Sequence, residues 1–330
     1  MTTNCIFFSL IFTFLFQFTS YAQGTALEAN IRAAKHVLKV FQKKDIQLDF
    51  RDLDRYRWSN LPVFLHERKG VALEDMNEEQ KRATQLLLQA ALSDMGYLKA
   101  NWIIWLDERR KEEMKTEGSD VFQHYGQGKF WLTIFGKPSK DSDWGWRLEG
   151  HHLSINMTFS EGNIYITPLF LGAHPTVVAD GPFAGFEAMY RETQLGNALF
   201  ESLSEKQKAT AVIAKKAYED ILTRTGREAY IKKGEGINVA DLSARQQSLV
   251  KKIIETYFSN FRKDIATTYL RKIDIKEFKF VWAGTGKFED GIYYRLQSPQ
   301  FVIEYDHRNA DIDHIHSVFY DLKGAFGELK

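Results

Sequence analysis

The distribution of apolar residues predicts an α+β fold: a mixed or antiparallel β-sheet built from mid-chain and C-terminal strands and flanked by several amphipathic helices. Three observations carry that prediction. Apolar positions recur at helical spacing near the start of the chain and again after Phe186. Between them, and once more after Phe278, the texture changes to short runs rich in aromatic and β-branched residues, separated by Gly, Pro and Asn. No repeat period or low-complexity linker interrupts this order, so distant strands are expected to meet in one sheet.

Residues 1–22 carry no charged side chain, are mostly apolar from Ile6 to Phe18, and end in Ser20 and Ala22, a small-x-small pattern. A signal peptide cleaved after Ala22, and export to the periplasm or beyond, are predicted, although Met1–Asn4 contains no Lys or Arg. The apolar run is shorter than the roughly 17–25 residues that span a bilayer, so no stable membrane anchor is expected. The single cysteine, Cys5, lies in this leader away from the cleavage point, which leaves residues 23–330 without disulfides or thiolate chemistry. With 44 basic against 43 acidic side chains and a net charge of +1, a nucleic-acid partner is not expected. Residues 23–330 are read as a single α+β domain whose stability comes from an ordinary core.

In chain order, Leu27, Ile31, Ala34, Leu38 and Phe41 mark an amphipathic helix over 25–44. Residues 45–70, which mix Asp, Arg and aromatics, read as an irregular covering segment. Asn77 and Gln80 form a capping-box pattern that opens a helix through Leu92; Gly96 is expected to break it, and a second helix follows from Tyr97 to Lys115. Strands are predicted at 129–135, 153–159 and 164–171, the last two joined by a hairpin at Gly162-Asn163. Helices are predicted at 186–203, at 204–222 with Ser204 and Gln207 as a capping box, and at 241–261. The tail returns to strands at 278–283, 291–296, 301–306 and 314–320.

Two segments hold the residues that point to chemistry: Glu149-Gly-His-His152 and His314-Ile-His316. On a strand, His314 and His316 face one side about 6.5–7 Å apart at the backbone, a spacing from which two imidazoles can converge on one metal. Asp311 and Asp313 lie just upstream, and Glu304 and Asp306 on the preceding strand, so a two-histidine, one-carboxylate site can be assembled there. The plain alternative is histidines that bond neighbouring strands. Adjacent strand side chains face opposite ways, so one of His151 and His152 is expected to join, His152 first and His151 as the alternative, unless Gly150 introduces a bulge. Glu149 is a candidate ligand, general base or imidazole-orienting acceptor. His174 precedes a proline and reads as a turn residue, while His36, His66, His124 and His307 have no partner pattern. Trp144, Trp146, Tyr293 and Tyr294 read mainly as core, and otherwise as the floor of a cleft for a small-molecule or saccharide-like ligand. There is no Gly-x-Ser-x-Gly elbow, no His-Glu-x-x-His, and no complete phosphate loop around Gly284-Thr-Gly-Lys287.

The chain resembles the bacterial and fungal proteins grouped as domain of unknown function 3500. The resemblance rests on Gly96-Tyr-Leu-Lys99, Phe130-Trp-Leu-Thr-Ile-Phe-Gly136, Trp144-Gly-Trp-Arg-Leu-Glu-Gly-His-His-Leu-Ser-Ile-Asn156, Thr167-Pro-Leu-Phe-Leu-Gly-Ala-His-Pro175, Ile303-Glu-Tyr-Asp306 and His314-Ile-His-Ser317. It implies that the two histidine segments belong to one domain. The family pattern has Asn where this chain has His174, which implies that His174 is not an essential ligand. The expectation is a metal-dependent enzyme, a hydrolase by default, that binds a divalent ion: zinc first, with copper, iron or manganese also compatible. The rival is a non-catalytic ligand-binding protein with a pocket lined by histidines and aromatics.

Overall fold

The computed structural model describes residues 24–42, 45–224, 231, 234–308 and 313–327; the leader, with Cys5, and Asp311 lie outside them. Seven α-helices are present among the described residues: α1 (Ala26–Val40), α2 (Glu78–Ala91), α3 (Asp94–Thr116), α4 (Tyr190–Glu201), α5 (Glu205–Ala211), α6 (Ala244–Phe258) and α7 (Lys263–Leu270). Four helix starts carry capping boxes, at Thr25, Asn77, Ser204 and Ser243, each satisfying backbone N–H groups that have no partner within the helix.

Thirteen strands form one mixed sheet. They are β1 (Gln47–Leu48), β2 (Val71–Ala72), β3 (Phe130–Gly136), β4 (Trp144–Gly150), β5 (Leu153–Ser160), β6 (Asn163–Tyr165), β7 (Leu169–Ala173), β8 (Val212–Ala214), β9 (Ile237–Asn238), β10 (Lys279–Ala283), β11 (Ile292–Gln297), β12 (Phe301–His307) and β13 (Ile315–Asp321). The spatial order is β1-β3-β4-β5-β7-β13-β12-β11-β10-β8, with β2, β6 and β9 paired at its margins. Mid-chain and C-terminal strands meet where β7 pairs antiparallel with β13, Gly172 opposite His316 and Leu171 opposite Ser317.

The two faces of the sheet differ in chemistry. On one, Leu153, Ile155, Leu171, Ile303, Tyr305 and Phe319 join a core shared with α1, α2, α3, α4, α6 and α7. Trp144, Trp146 and Tyr294 are part of this core, each at most 1% exposed, and Trp146 donates to Asn30 Oδ1 at 3.0 Å. Tyr293, fully buried, packs with Val281 and Ala283 on the opposite face. These four aromatics are therefore interior residues, and the cleft-floor alternative does not apply to them. By strand alternation the opposite face carries Arg147, Glu149, Ser154, Arg295, Glu304, Asp306 and His316, all buried. It is covered by irregular chain around Trp58 and Ile221. Charges buried on this scale need partners, and most have them: Arg147 binds Asp54 at 2.6 Å and Glu149 at 2.8 Å.

The structure corrects several expectations. The helix from Ser204 stops at Ala211, because Val212-Ile-Ala214 adds a strand parallel to β10. The strand expected at 164–171 is two, β6 and β7, since Pro168 has no N–H to continue a ladder. Gly96 breaks no helix: it lies in the first turn of α3, capped by Ser93. A Cβ there would stand 1.9 Å from Asn260 O, so close packing is what excludes a side chain. Residues 144–150 form a full strand in which Arg147 and Glu149 interrupt the apolar pattern yet remain buried.

Candidate metal centre

His151 and His152 are not strand residues. They form the two-residue turn between β4 and β5, which closes with Gly150 opposite Leu153. His152 has φ +66°, the left-handed region that residues with a Cβ adopt at a cost. This turn removes the alternation argument: both imidazoles turn the same way, with ring centroids 3.6 Å apart. The His152 carbonyl accepts from Gly172 N at 2.7 Å. Gly172 has no side chain for a reason, since a Cβ there would lie 2.9 Å from His152 Cδ2 and 2.8 Å from Ile315 O. Because Gly172 pairs with His316, its bare face lets the His152 ring approach β13.

The ring nitrogens converge. His152 Nε2 lies 2.7 Å from His314 Nε2, and His314 Nε2 lies 3.0 Å from His316 Nε2. One ligand atom from each of His151, His152 and His314 falls within 4.8 Å of the others. All four rings are buried, from 2% exposed at His152 to 7% at His314. The buried triad of His151, His152 and His314 could hold a metal ion, and His316 lies outside that mutually close group. Burial, reinforced by neighbouring imidazoles, holds both His151 and His152 well below the ordinary imidazole range, so they stay neutral and keep a lone pair. His174 sits at the edge, its ring centroid 4.6 Å from that of His314 and 6.3 Å from that of His152.

Two carboxylates orient the rings from behind, and neither was singled out in the sequence. Asp107 Oδ1 lies 2.7 Å from His151 Nδ1, and its other oxygen accepts from Gly126 N at 2.8 Å. Asp220 Oδ1 lies 2.7 Å from His316 Nδ1, and its other oxygen pairs with Arg224 at 2.9 Å. An acceptor at Nδ1 fixes the proton there and leaves Nε2 free to coordinate. Burial pushes Asp107 up to about 8, so it acts as a pure acceptor towards His151 Nδ1 only once ionised, as a cation in the cluster would favour. For Asp220 burial also acts upward, but the bond to His316 and the charge of Arg224 outweigh it, and its pKa falls. Asp107 had a legible signal: it occupies the buried helical stripe of Ala100, Ile103 and Ile104, where a carboxylate is out of place unless it has a partner. Asp220 had none, being in a segment read as helix. Arg308 Nη1 lies 3.1 Å from His314 Nδ1, and the edge of Tyr125 meets His151 at 5.0 Å between centroids.

Of the acids named from the sequence, Glu149, Glu304 and Asp306 lie on the same sheet face, outside the group of mutually close ligand atoms, and Asp313 accepts from Thr176 N at 2.7 Å. Glu149 is held by Arg147 at 2.8 Å and by Ser59 N at 3.3 Å. Glu304 accepts from Leu222 N, Thr223 N and the Tyr293 hydroxyl at 2.7–2.9 Å. Asp306 pairs with His316 across the strands, and neither of its buried oxygens has a hydrogen-bond partner among the described residues. Burial first, then the nearby Asp220, holds its pKa well above the usual carboxylate range.

No described helix is long and apolar enough to cross a membrane. No curated protein and no solved structure gives a significant match. A family model described as "Protein of unknown function (DUF3500)" matches residues 22–328. That span takes in both histidine segments and the acids that orient them, and the chain belongs to this family.

Proposed function

We propose that the chain is an exported metal-dependent enzyme, a hydrolase by default, whose ion is held by His152, His314 and His316, with His151 as the alternative or additional ligand. One observation carries this reading: His314 Nε2 has two ring nitrogens against it, at 2.7 and 3.0 Å. A neutral imidazole has one N–H and one lone pair, so a single proton satisfies one of those contacts and leaves the other a meeting of lone pairs. A divalent cation satisfies both once Arg308 releases His314 Nδ1, because a guanidinium donor there keeps the proton of the neutral ring on Nε2. Tetrahedral zinc with bonds of about 2.0–2.1 Å sets ligand nitrogens about 3.3 Å apart, so the rings would part by a few tenths of an ångström. All-nitrogen donors suit zinc first, while copper, iron and manganese remain compatible with the same set.

Three imidazoles leave one position for water, whose pKa the ion lowers towards neutrality. Of the carboxylates, Asp306 retains unengaged oxygens beside His316 and is the better fourth contact; Glu304 is already engaged. Glu149 enters as general base only if it releases Arg147 or Ser59, and otherwise positions β4. The leader at residues 1–22 supports export. The rival, a non-catalytic binding protein, is favoured by the number of rings, because four imidazoles on one ion would close a tetrahedral shell.

Elemental analysis of the tag-free protein, beside a His314→Ala/His316→Ala variant whose fold is checked by circular dichroism, tests the centre. Near-stoichiometric metal in the parent, lost from a folded variant, is expected. No metal in the parent after incubation with zinc, copper, iron and manganese would sink the reading. In a panel of ester and phosphate-ester substrates, Glu149→Gln should keep the metal and lose turnover; unchanged turnover removes the base assignment.

A further inference from the structure

A cavity of about 350 Å³ lies one side chain away from the histidine cluster, on the Nδ1 side of His316. Its wall includes Arg57, Ser59, Asn60, His66 and Arg224. It adjoins the centre through side chains already described. Asn60 Nδ2 reaches to 3.5 Å from His316 Nδ1, the Ser59 amide touches Glu149, and Arg224 binds the carboxylate that orients His316. One layer of side chain therefore separates the cavity from the imidazoles.

The wall has a single sign of charge. Two arginines supply it, His66 adds a ring whose burial lowers its pKa and favours the neutral form, and no Asp or Glu is among its described lining residues. Arg57 is exposed, and its side chain enters none of the ion pairs of the described residues. Arg224 directs one terminal nitrogen to Asp220, while its buried Nε has no acceptor. Asn60 adds a neutral donor on the floor. Guanidinium groups recognise planar or tetrahedral oxyanions through paired N–H donors, and a one-signed cavity wall raises the local concentration of the opposite charge.

We infer that this cavity binds the oxyanion end of a small substrate, a carboxylate or a phosphate monoester, with Arg57 and Arg224 as its anchors and Asn60 guiding the rest of the molecule towards the imidazoles. The inference rests on the metal-enzyme reading for its direction, since the cluster is where the bound molecule would react. Recognition of the anion itself does not require the ion.

Isothermal titration of inorganic phosphate and of succinate into the tag-free protein, both metal-stripped and zinc-loaded, separates the two. Binding of at least one anion is expected in both states. Arg57→Glu should weaken it at least tenfold in both, Arg57→Lys should restore most of it, and the circular dichroism and zinc content of Arg57→Glu should match the parent. A preference for phosphate or for succinate assigns the class. Three results would overturn the inference: no binding of either anion, binding that Arg57→Glu leaves intact, or binding confined to the zinc-loaded protein regardless of residue 57. If no zinc is taken up, the metal-stripped arm still judges the cavity, so the two readings fail separately.

Discussion

His152 holds a left-handed backbone at φ +66° while its ring touches those of His151, His314 and His316. The neighbours that stabilise this arrangement are small in number and specific in kind. Asp107 and Asp220 each accept at an imidazole Nδ1 from 2.7 Å, and together they set which nitrogen of His151 and His316 faces the cluster. Replacing such an orienting carboxylate typically weakens metal affinity about 10–100-fold. Asp107→Asn is therefore expected to lower zinc affinity by that order, read by competition with a chromogenic chelator, with the fold retained because the amide keeps an oxygen for Gly126 N. Affinity equal to the parent's would show that His151 takes no part. His151 and His152 as a pair, with Glu149 beside them, were legible in the sequence, whereas Asp107, Asp220 and the role of Gly172 were not singled out there. What strand periodicity could not reveal was that a turn, rather than a strand, presents the two histidines, since Gly150-His-His-Leu153 carries no Asn-Gly or Asp-Gly turn signal.

At the level of elements, the site exists because β7 lies between the β4–β5 turn and β13. Gly172 is the contact point of all three: it donates to the His152 carbonyl, pairs with His316, and has no room for a Cβ. Gly172→Ala must displace either the His152 ring or the Ile315 carbonyl. Overpacking of that kind costs about 1–3 kcal/mol, and the ring is the softer neighbour. The expected result is a lowered urea midpoint together with reduced metal content; full metal occupancy in the alanine variant would show that β7 does not set the geometry of the turn. The capping boxes at Asn77 and Ser204 were legible because they need only residues three apart. The end of the helix after Ser204 was not, because Val212-Ile-Ala214 leaves it to pair with β10 some seventy positions later, and no local pattern records that partner.

Across the whole molecule, burial of titratable rings sets the response to pH. Tyr257, Tyr269, Tyr293, Tyr294 and Tyr305 are buried, and burial, before any neighbouring charge, raises every one of their pKa values. The folded state thus keeps protons that the unfolded chain releases near pH 10. With folded values above unfolded ones, their contribution is intact below about pH 10 and is lost as the pH rises beyond it. Each such tyrosine removes about 1.4 kcal/mol per pH unit in that window. A steep alkaline transition is expected, in which tyrosinate absorbance rises together with loss of the circular-dichroism signal. Smooth ionisation of these tyrosines in a protein that stays folded would contradict their burial.

The order of residues alone determined the kinds of element, most of their places, the capping residues and the two segments that bear the imidazoles, because periodicity and caps depend on neighbours a few positions away. Family membership was legible for the same reason, in short runs such as Glu149-Gly-His-His152. The tertiary structure decided which of these residues meet. Strand order brought His152 to His314 across 162 positions, placed Asp107 of α3 and Asp220 of an irregular segment behind the rings, and buried Arg147 with Glu149 and Glu304 with the Tyr293 hydroxyl, charges that a local pattern reads as surface. Such pairings are selected by the summed burial and hydrogen bonding of many elements at once, and no stretch of chain carries that sum by itself.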